Sequence, residues 1–323
     1  MKAFGIIGPG AAPGIMERDI PRPGPGEVRV RIAACGINFA DLLMVDGKYQ
    51  ERPEPPVTLG MEPAGWVDAL GAGVSGLDVG TRVAVFANCG GLADFGCFPV
   101  ERCTAIPDAM SFDDAAAFQI AYGTSHLALA HKARLQPGET LLVLGAAGGV
   151  GLTAVEIGKR MGARVVAAAR GADRLRTARA AGADQLIDSA TADLRAEVKA
   201  LGGADVVYDP VGGDQFDAAF RATNPDGRIL VIGFAGGRVQ QIPTNHLLVK
   251  NISVIGLYWG GYAAFAPRIM SESLSTLFGW YAAGGLRPHI SHTLPLERAG
   301  EALDLLRARK STGKIVVRVG DAA

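Results

Sequence analysis

The sequence predicts an α/β protein in two parts, an irregular β-rich part and a doubly wound parallel sheet. Two textures carry that reading. Up to about residue 123, strand-like pieces are separated by Pro-Gly clusters, whereas from Thr124 short apolar runs alternate with helical periodicity. A third observation concerns the end of the chain. Beyond Tyr262 the alternation stops, and the tail is expected to return to the β-rich part. The expected division is 1–123 with 263–323 for one domain, and 124–262, inserted into it, for the other. A cleft between two such domains is the expected place for a site.

In the β-rich part the strand-like pieces are Glu27 to Ala33, Gly65 to Leu70 and Arg82 to Ala87, punctuated by Pro21 to Gly26 and Gly71 to Gly73. In the inserted part, candidate strands fall at 140–144, 164–169, 185–188, 205–208, 228–233 and 252–257. Six strands with crossover helices between them is a doubly wound layout. An amphipathic helix over Met270 to Ala283, a turn at Gly284-Gly285, a helix over Glu297 to Arg309 and a strand over Lys314 to Val319 follow. There are no internal repeats and no low-complexity segments.

Composition narrows the class. In 323 residues, 49% are hydrophobic, and 32 Lys and Arg balance 32 Asp and Glu, which describes a globular enzyme-like chain and argues against disorder or a nucleic-acid partner. The charge-free stretches Leu141 to Val155 and Ile252 to Pro267 fall short of the roughly 18 residues of a membrane span, so no membrane partner is expected. Met1 to Gly5 has no apolar signal core, which reads as a cytoplasmic protein. There Cys35, Cys89, Cys97 and Cys103 are expected to stay reduced. Their spacing is not the paired arrangement of a structural zinc site.

The most informative stretch runs from Thr140 to Gly151: an apolar strand, the turn Gly145-Ala-Ala-Gly-Gly-Val-Gly151, then Val150, Ala154, Val155 and Ile157 at helical spacing. Strand, glycine turn and helix is how a chain offers free N–H groups and a helix N-terminus to a pyrophosphate. Ala146 stands where the first glycine of the dinucleotide fingerprint belongs, and Gly148 and Gly151 fill the next two places. An ordinary tight turn is the competing reading. At the end of the next strand, 164–169, no carboxylate appears until Asp173; Arg170 and Arg174 stand there instead. A carboxylate would mark NADH, whereas guanidinium forks suit a 2′-phosphate and favour NADPH. Solvated surface arginines are the alternative.

Several ordered segments resemble the medium-chain dehydrogenase/reductase superfamily and, within it, the zinc-free quinone oxidoreductase (zeta-crystallin-like) family. They are Ala34 to Asp41, Leu59 to Gly65, Gly80 to Val83, Gly145 to Gly151, Ala181 to Asp184, Asp209 to Gly213 and Thr312 to Lys314. The resemblance implies a GroES-like catalytic domain plus a Rossmann domain. In the superfamily's zinc alcohol dehydrogenases a cysteine ligand stands where this chain has Asn38, and a histidine ligand where it has Met61. Amide and thioether groups are poor replacements for those ligands, so no metal is expected. Without a Lewis acid, hydride transfer needs an acceptor that is already electron-poor. Family members reduce quinones or conjugated enones with NADPH.

The resemblance also implies roles. Asn38, at the lost-ligand position, is the candidate to face nicotinamide and substrate oxygen, although an asparagine after a strand is also a common turn residue. Tyr49 aligns with a tyrosine at the substrate cleft and is a candidate hydrogen-bond or proton donor; a surface-loop tyrosine is the alternative. Thr124 matches a threonine beside the nicotinamide, and Asp41 is expected to hold the Asn38 loop. Ala147, Gly148, Gly149 and Val150 are the expected pyrophosphate turn, with Arg170 and Arg174 at the 2′-phosphate and Arg309 as a further phosphate candidate. Family members often carry a serine and a lysine near Arg170 and Arg174, and Ser189 stands where some use a tyrosine on the adenine side. Phe234 and Tyr258 are expected to line the nicotinamide pocket, or to be core. His126 reads as a packed helix residue rather than a base.

The expected activity is therefore NADPH-dependent, metal-independent reduction of a small quinone or α,β-unsaturated carbonyl. The alternatives are an enoyl-thioester reductase, for which no basic cluster speaks, and a non-catalytic NADPH-binding protein. A homodimer is expected from the resemblance, through the edge strand near Ile252 to Leu257.

Overall fold

The structure, a computed structural model, describes residues 1–8, 10–51 and 53–320. The chain forms two compact units, Met1–Ile120 with Phe278–Ala323, and Ala121–Leu277. The sequence reading placed the second boundary earlier, at 262/263. Among the described residues, no helix is long and apolar enough to cross a membrane.

The first unit is built on a seven-stranded sheet whose central strand, Glu27–Ile37, alternates in its first half and is buried throughout its second. Antiparallel neighbours flank it, Glu62–Leu70 on one side and Lys314–Arg318 on the other. Its registers pair Gly36 with both Glu62 and Val316, and Ile37 with Ile315. These pairings bring the strand ends at Asn38, Glu62 and Lys314 together. The strand is longer than the sequence suggested because its C-terminal half, Ala33 to Ile37, is buried and carries no alternation to read. Val28, Val30, Ile32, Val67, Val83, Val85, Ile315 and Val317 form the core beneath it. A separate three-stranded sheet joins Gly14–Glu17, Lys2–Ile6 and Val57–Thr58.

The second unit is a six-stranded parallel sheet. Its spatial order is Gln185–Asp188, Arg164–Ala169, Thr140–Leu144, Ala204–Asp209, Thr223–Val231, Ser253–Gly256. The strands nearest its centre are apolar runs buried on both faces, as crossover helices demand. The fifth strand starts earlier than predicted. Ala204 pairs with Thr223, the register then slips, and Val206 pairs with Arg228. The polar stretch between, with Asp226 at φ 64° and Asn224 donating to Asp205 at 2.8 Å, stays within the strand as an irregularity. The late helix runs Pro267–Ala282, with proline at its first position, where no N–H is needed. The last helix is a 3₁₀ turn, Leu296–Arg298, followed by Ala299–Arg307.

The glycine turn shows why its glycines are there. After Thr140–Leu144 the chain turns at Gly145, whose φ is 58°, and helix Gly149–Arg160 begins. A Cβ on Gly151 would lie 2.2 Å from the Gly145 carbonyl oxygen, so this residue lets the helix sit against its own turn. Gly151→Ala is expected to lower unfolding stability by about 1–3 kcal/mol, the usual range for overpacking. Urea denaturation followed by circular dichroism checks this.

Candidate active site

In the first unit a closed triangle of polar groups stands at the meeting of the three strand ends. The Lys314 ammonium donates to Asn38 Oδ1 at 2.6 Å and to Glu62 Oε2 at 2.8 Å, and Asn38 Nδ2 donates to the same Glu62 oxygen at 3.0 Å. Lys314 is 5% exposed and Glu62 0%. The other Glu62 oxygen accepts the Ile120 N–H at 2.8 Å. Gly36 keeps this space open, since a Cβ there would meet the Ala116 carbonyl oxygen at 1.9 Å and Glu62 Oε2 at 3.2 Å.

Asn38 also caps the short helix Phe39–Val45, and Asp41 Oδ2 accepts its backbone N–H at 2.8 Å. Asp41 is wholly buried. Burial pushes its carboxyl up from 3.8 to about 6, against the backbone N–H bond from Asn38 and the charge of Lys314. Burial likewise raises the Cys35 thiol, next to the same acidic pair.

Tyr49 follows the short helix. Its N–H and that of Lys48 donate to the Leu43 carbonyl at 3.1 and 2.7 Å, and its ring packs on the unit's core. With Ile6, Met44, Val45 and Val57 it lines a cavity of about 230 Å³. Arg309 also belongs to this unit, exposed in left-handed conformation after the last helix (φ 54°).

The other predicted site residues stand in the second unit, most of them at the carboxyl ends of its strands, where parallel sheets bind ligands. Ala147 is buried and Gly148 caps the helix Gly149–Arg160, with the Leu152 N–H making the first intrahelical bond to Gly148. Gly149 and Val150 lie in the first turn, whose N–H groups have no intrahelical acceptor, so the turn can take an anion. Arg170 is exposed at the end of Arg164–Ala169. Arg174 is half-buried in the first turn of helix Ala172–Ala180. Phe234, 41% exposed, lies against Gly212, which caps the helix after Ala204–Asp209. Tyr258 is 44% exposed beyond Ser253–Gly256. The next residue, Trp259, packs its ring on Gly123, where a Cβ would meet it at 2.6 Å. Thr124, 7% exposed, directly follows that glycine. The two units thus divide the predicted set, with Asn38, Tyr49 and Arg309 in one and the rest in the other.

Sequence reasoning missed how these groups are held. Ser125 Oγ donates to the Val150 carbonyl at 2.9 Å and is 2.8 Å from Thr153 Oγ1 and 3.0 Å from Tyr208 Oη. This buried cluster of hydroxyls ties the segment carrying Thr124 to the glycine turn. Asp188 Oδ1 accepts the Gly171 and Ala190 N–H groups, both at 3.0 Å, fixing the loop after Arg170, and those bonds hold its carboxyl below the usual range. His126 Nδ1 is 2.7 Å from Ser273 Oγ, and burial lowers its pKa. The hydroxyl cluster has no motif. Glu62 and Lys314 stand inside segments singled out above, but nothing in the sequence pairs residues 252 positions apart.

Residues 24–108 match the alcohol dehydrogenase GroES-like domain and residues 149–275 the zinc-binding dehydrogenase domain. The quinone oxidoreductase-like protein 2 homolog of Nematostella vectensis is 41% identical over 300 residues, covering 91% of this chain and 82% of its own. The chain belongs to the quinone oxidoreductase-like family of the medium-chain dehydrogenase/reductase superfamily. Among solved structures, the quinone oxidoreductase of Thermus thermophilus superposes with a TM-score of 0.88 at 32% identity, covering 98% of this chain and 100% of that one. The quinone oxidoreductase of Escherichia coli, solved with NADPH, gives 0.91 at 27% identity over 98% and 100%.

A family model named for zinc raises the question of whether this quinone oxidoreductase-like chain could hold that ion. The donor chemistry does not fit. Met61 is a thioether in the core, and the Asn38 amide oxygen faces an ammonium whose charge repels a cation. Among the described residues, no three His, Cys, Asp or Glu side chains cluster to hold a metal.

The buried Asp41 gives this region a pH signature. Its folded pKa, about 6, lies above the unfolded value near 3.9, so its contribution to stability is fully present below that value and is lost as pH rises through 6. The loss is about 3 kcal/mol. Relative to wild type, Asp41→Asn is therefore expected to gain stability between pH 4.5 and 7.5. Chemical denaturation of both proteins at each pH measures the difference.

Proposed function

We propose that the chain is an NADPH-dependent, metal-independent reductase of small quinones or α,β-unsaturated carbonyls. The observation that carries this reading is the replacement of metal-ligand chemistry at Asn38 and Met61 by an amide locked to Lys314 and Glu62. A site without a Lewis acid suits acceptors whose own conjugation moves charge to oxygen.

The second unit's residues fit the cofactor. The turn of Ala147, Gly148, Gly149 and Val150 would take the pyrophosphate, through the N–H groups of the first helical turn, Arg170 and Arg174 the 2′-phosphate, and Thr124, Phe234 and Tyr258 the nicotinamide side. Arg309 is a further phosphate candidate in this reading. NADPH, when bound, supplies the hydride. The chain's part is to orient the acceptor, to offer N–H and O–H donors where its oxygen gains the electron pair, and to let a proton reach that oxygen. Asn38 is the amide donor in this reading, and Tyr49 the hydroxyl that donates a hydrogen bond or the proton.

The test follows loss of nicotinamide absorbance with NADPH and with NADH, against a benzoquinone and a conjugated enone, with and without chelator. Chelator-resistant turnover that prefers NADPH is expected; binding of NADPH with no turnover of either acceptor overturns the reading. In the double variant Arg170→Ala/Arg174→Ala, the KM for NADPH is expected to rise about 10- to 100-fold, the worth of one or two charge-assisted hydrogen bonds. The KM for NADH should change little.

We also propose a homodimer through the sheet edge at Ser253–Gly256. Leu248 and Val249, in the short helix just before that strand, are 79% and 75% exposed, unusual for adjacent aliphatic residues. Light scattering is expected to give a dimer, and Leu248→Glu/Val249→Glu a monomer.

A further inference from the structure

The triangle of Lys314, Glu62 and Asn38 has a property that its place in the core does not require. A buried ion pair stabilises a fold poorly, because withdrawing two charges from water costs about what their attraction returns, and apolar side chains of the same volume serve as well or better. Here an ammonium 5% exposed and a carboxylate 0% exposed are nevertheless kept, and both are directed at one amide. That amide has only one chemically sensible orientation. Its oxygen must face the ammonium and its nitrogen the carboxylate, since the flipped form would set donor against donor and acceptor against acceptor.

The two Asn38 N–H bonds are unequal. One goes to Glu62 Oε2 at 3.0 Å, and the other reaches only the Gly36 carbonyl, at 3.4 Å. The first is charge-assisted and fixed; the second is long and replaceable. Asn38 itself is half-buried whereas Lys314 and Glu62 are buried, so the amide is the member of the triangle nearest the surface, and its second N–H is the one free of a charged partner. Through the amide, the ammonium also withdraws electron density from the nitrogen, and a chain of hydrogen bonds in a dry site strengthens its members.

We propose that Lys314 is a positioning residue: with Glu62 it locks the Asn38 amide so that one polarised N–H is presented to the acceptor oxygen as negative charge develops there. Lys314 touches neither acceptor nor cofactor in this scheme and acts through Asn38. The inference rests on the reading of Asn38 as the oxygen's donor.

The test uses the full chain. In Lys314→Met alone, Glu62 is left as an uncompensated buried charge, so loss of folding there decides nothing. Lys314→Met/Glu62→Gln removes both charges and keeps the volume. For that double variant we expect a melting temperature within a few degrees of wild type and NADPH affinity within about 3-fold. We expect kcat for quinone or enone to fall at least about 30-fold, about 2 kcal/mol of lost transition-state stabilisation, with acceptor KM little changed.

A second readout does not depend on activity. Selective ¹⁵N-asparagine labelling gives five side-chain amide pairs, from Asn38, Asn88, Asn224, Asn245 and Asn251, and Asn38→Asp identifies the Asn38 pair by its loss. In the wild type this pair should be widely split and slow to exchange with water; in the double variant it should move towards the mobile-asparagine position. A folded double variant that keeps both wild-type kcat and the wild-type amide pair overturns the proposal. If the wild type itself reduces neither acceptor class, the reading of the reaction fails instead. The amide spectrum still decides whether Lys314 locks Asn38.

Discussion

A lysine ammonium withdrawn from water, held between a carboxylate and an amide, sets the geometry at one end of the first unit. Residues 38, 62 and 314 are far apart in sequence and meet only because the strand Glu27–Ile37 has an antiparallel neighbour on each side with registers that end together. The constraint works in both directions. The sheet must be in register for the charges to pair, and a slip of one residue would point them to the opposite face. It would leave a bare ammonium and a bare carboxylate in the core. Glu62 extends the constraint beyond the sheet, because its second oxygen takes the Ile120 N–H. Gly36 makes room for the arrangement, since any side chain there would collide with the Ala116 carbonyl.

The second unit works on the opposite principle. In the first, Lys314, Glu62 and Asn38 satisfy one another; in the second, the turn after Thr140–Leu144 leaves the first N–H groups of a helix without intrahelical acceptors and sets cationic side chains beyond the next strand. N–H groups at a helix N-terminus suit an anion, and guanidinium groups nearby suit the same charge. The hydroxyl cluster of Ser125, Thr153 and Tyr208 lies beneath that turn and ties it to the segment bearing Thr124. Position is thus supplied from the buried side and charge from the open side.

How much of this the sequence disclosed follows from what each feature depends on. The central parallel strands announce themselves as apolar runs because both faces are buried, and the glycine turn because Gly145 needs a positive φ and Gly151 a missing Cβ. Those are local requirements, so local sequence records them. The strand expected over 228–233 begins earlier, at Thr223, and the sequence hides this because Asn-Pro-Asp-Gly carries turn chemistry even where the chain stays on the sheet. In the site, Asn38 stood out by what it replaces. Its partners did not, because nothing in the types Glu and Lys says they will be buried, and charged residues seldom are. The length of the late helix was legible in its periodicity; the boundary of the units, at 277/278, was not, since compactness depends on contacts between distant segments.

In the proposed function a lysine behind an amide stands where a metal would otherwise act, which changes what such a site can do. A zinc ion binds the substrate oxygen directly and can stabilise charge that has nowhere else to go. An ammonium buried behind an amide cannot coordinate that oxygen; it contributes a fixed field and a stiffened donor, worth a few kcal/mol at most for one hydrogen bond to a charged group. In the proposed function such help suits acceptors in which conjugation has already lowered the cost of accepting the electron pair. On that reading, the residues whose chemistry does not suit a metal are also those that would favour electron-poor acceptors, so the two departures would share one physical cause.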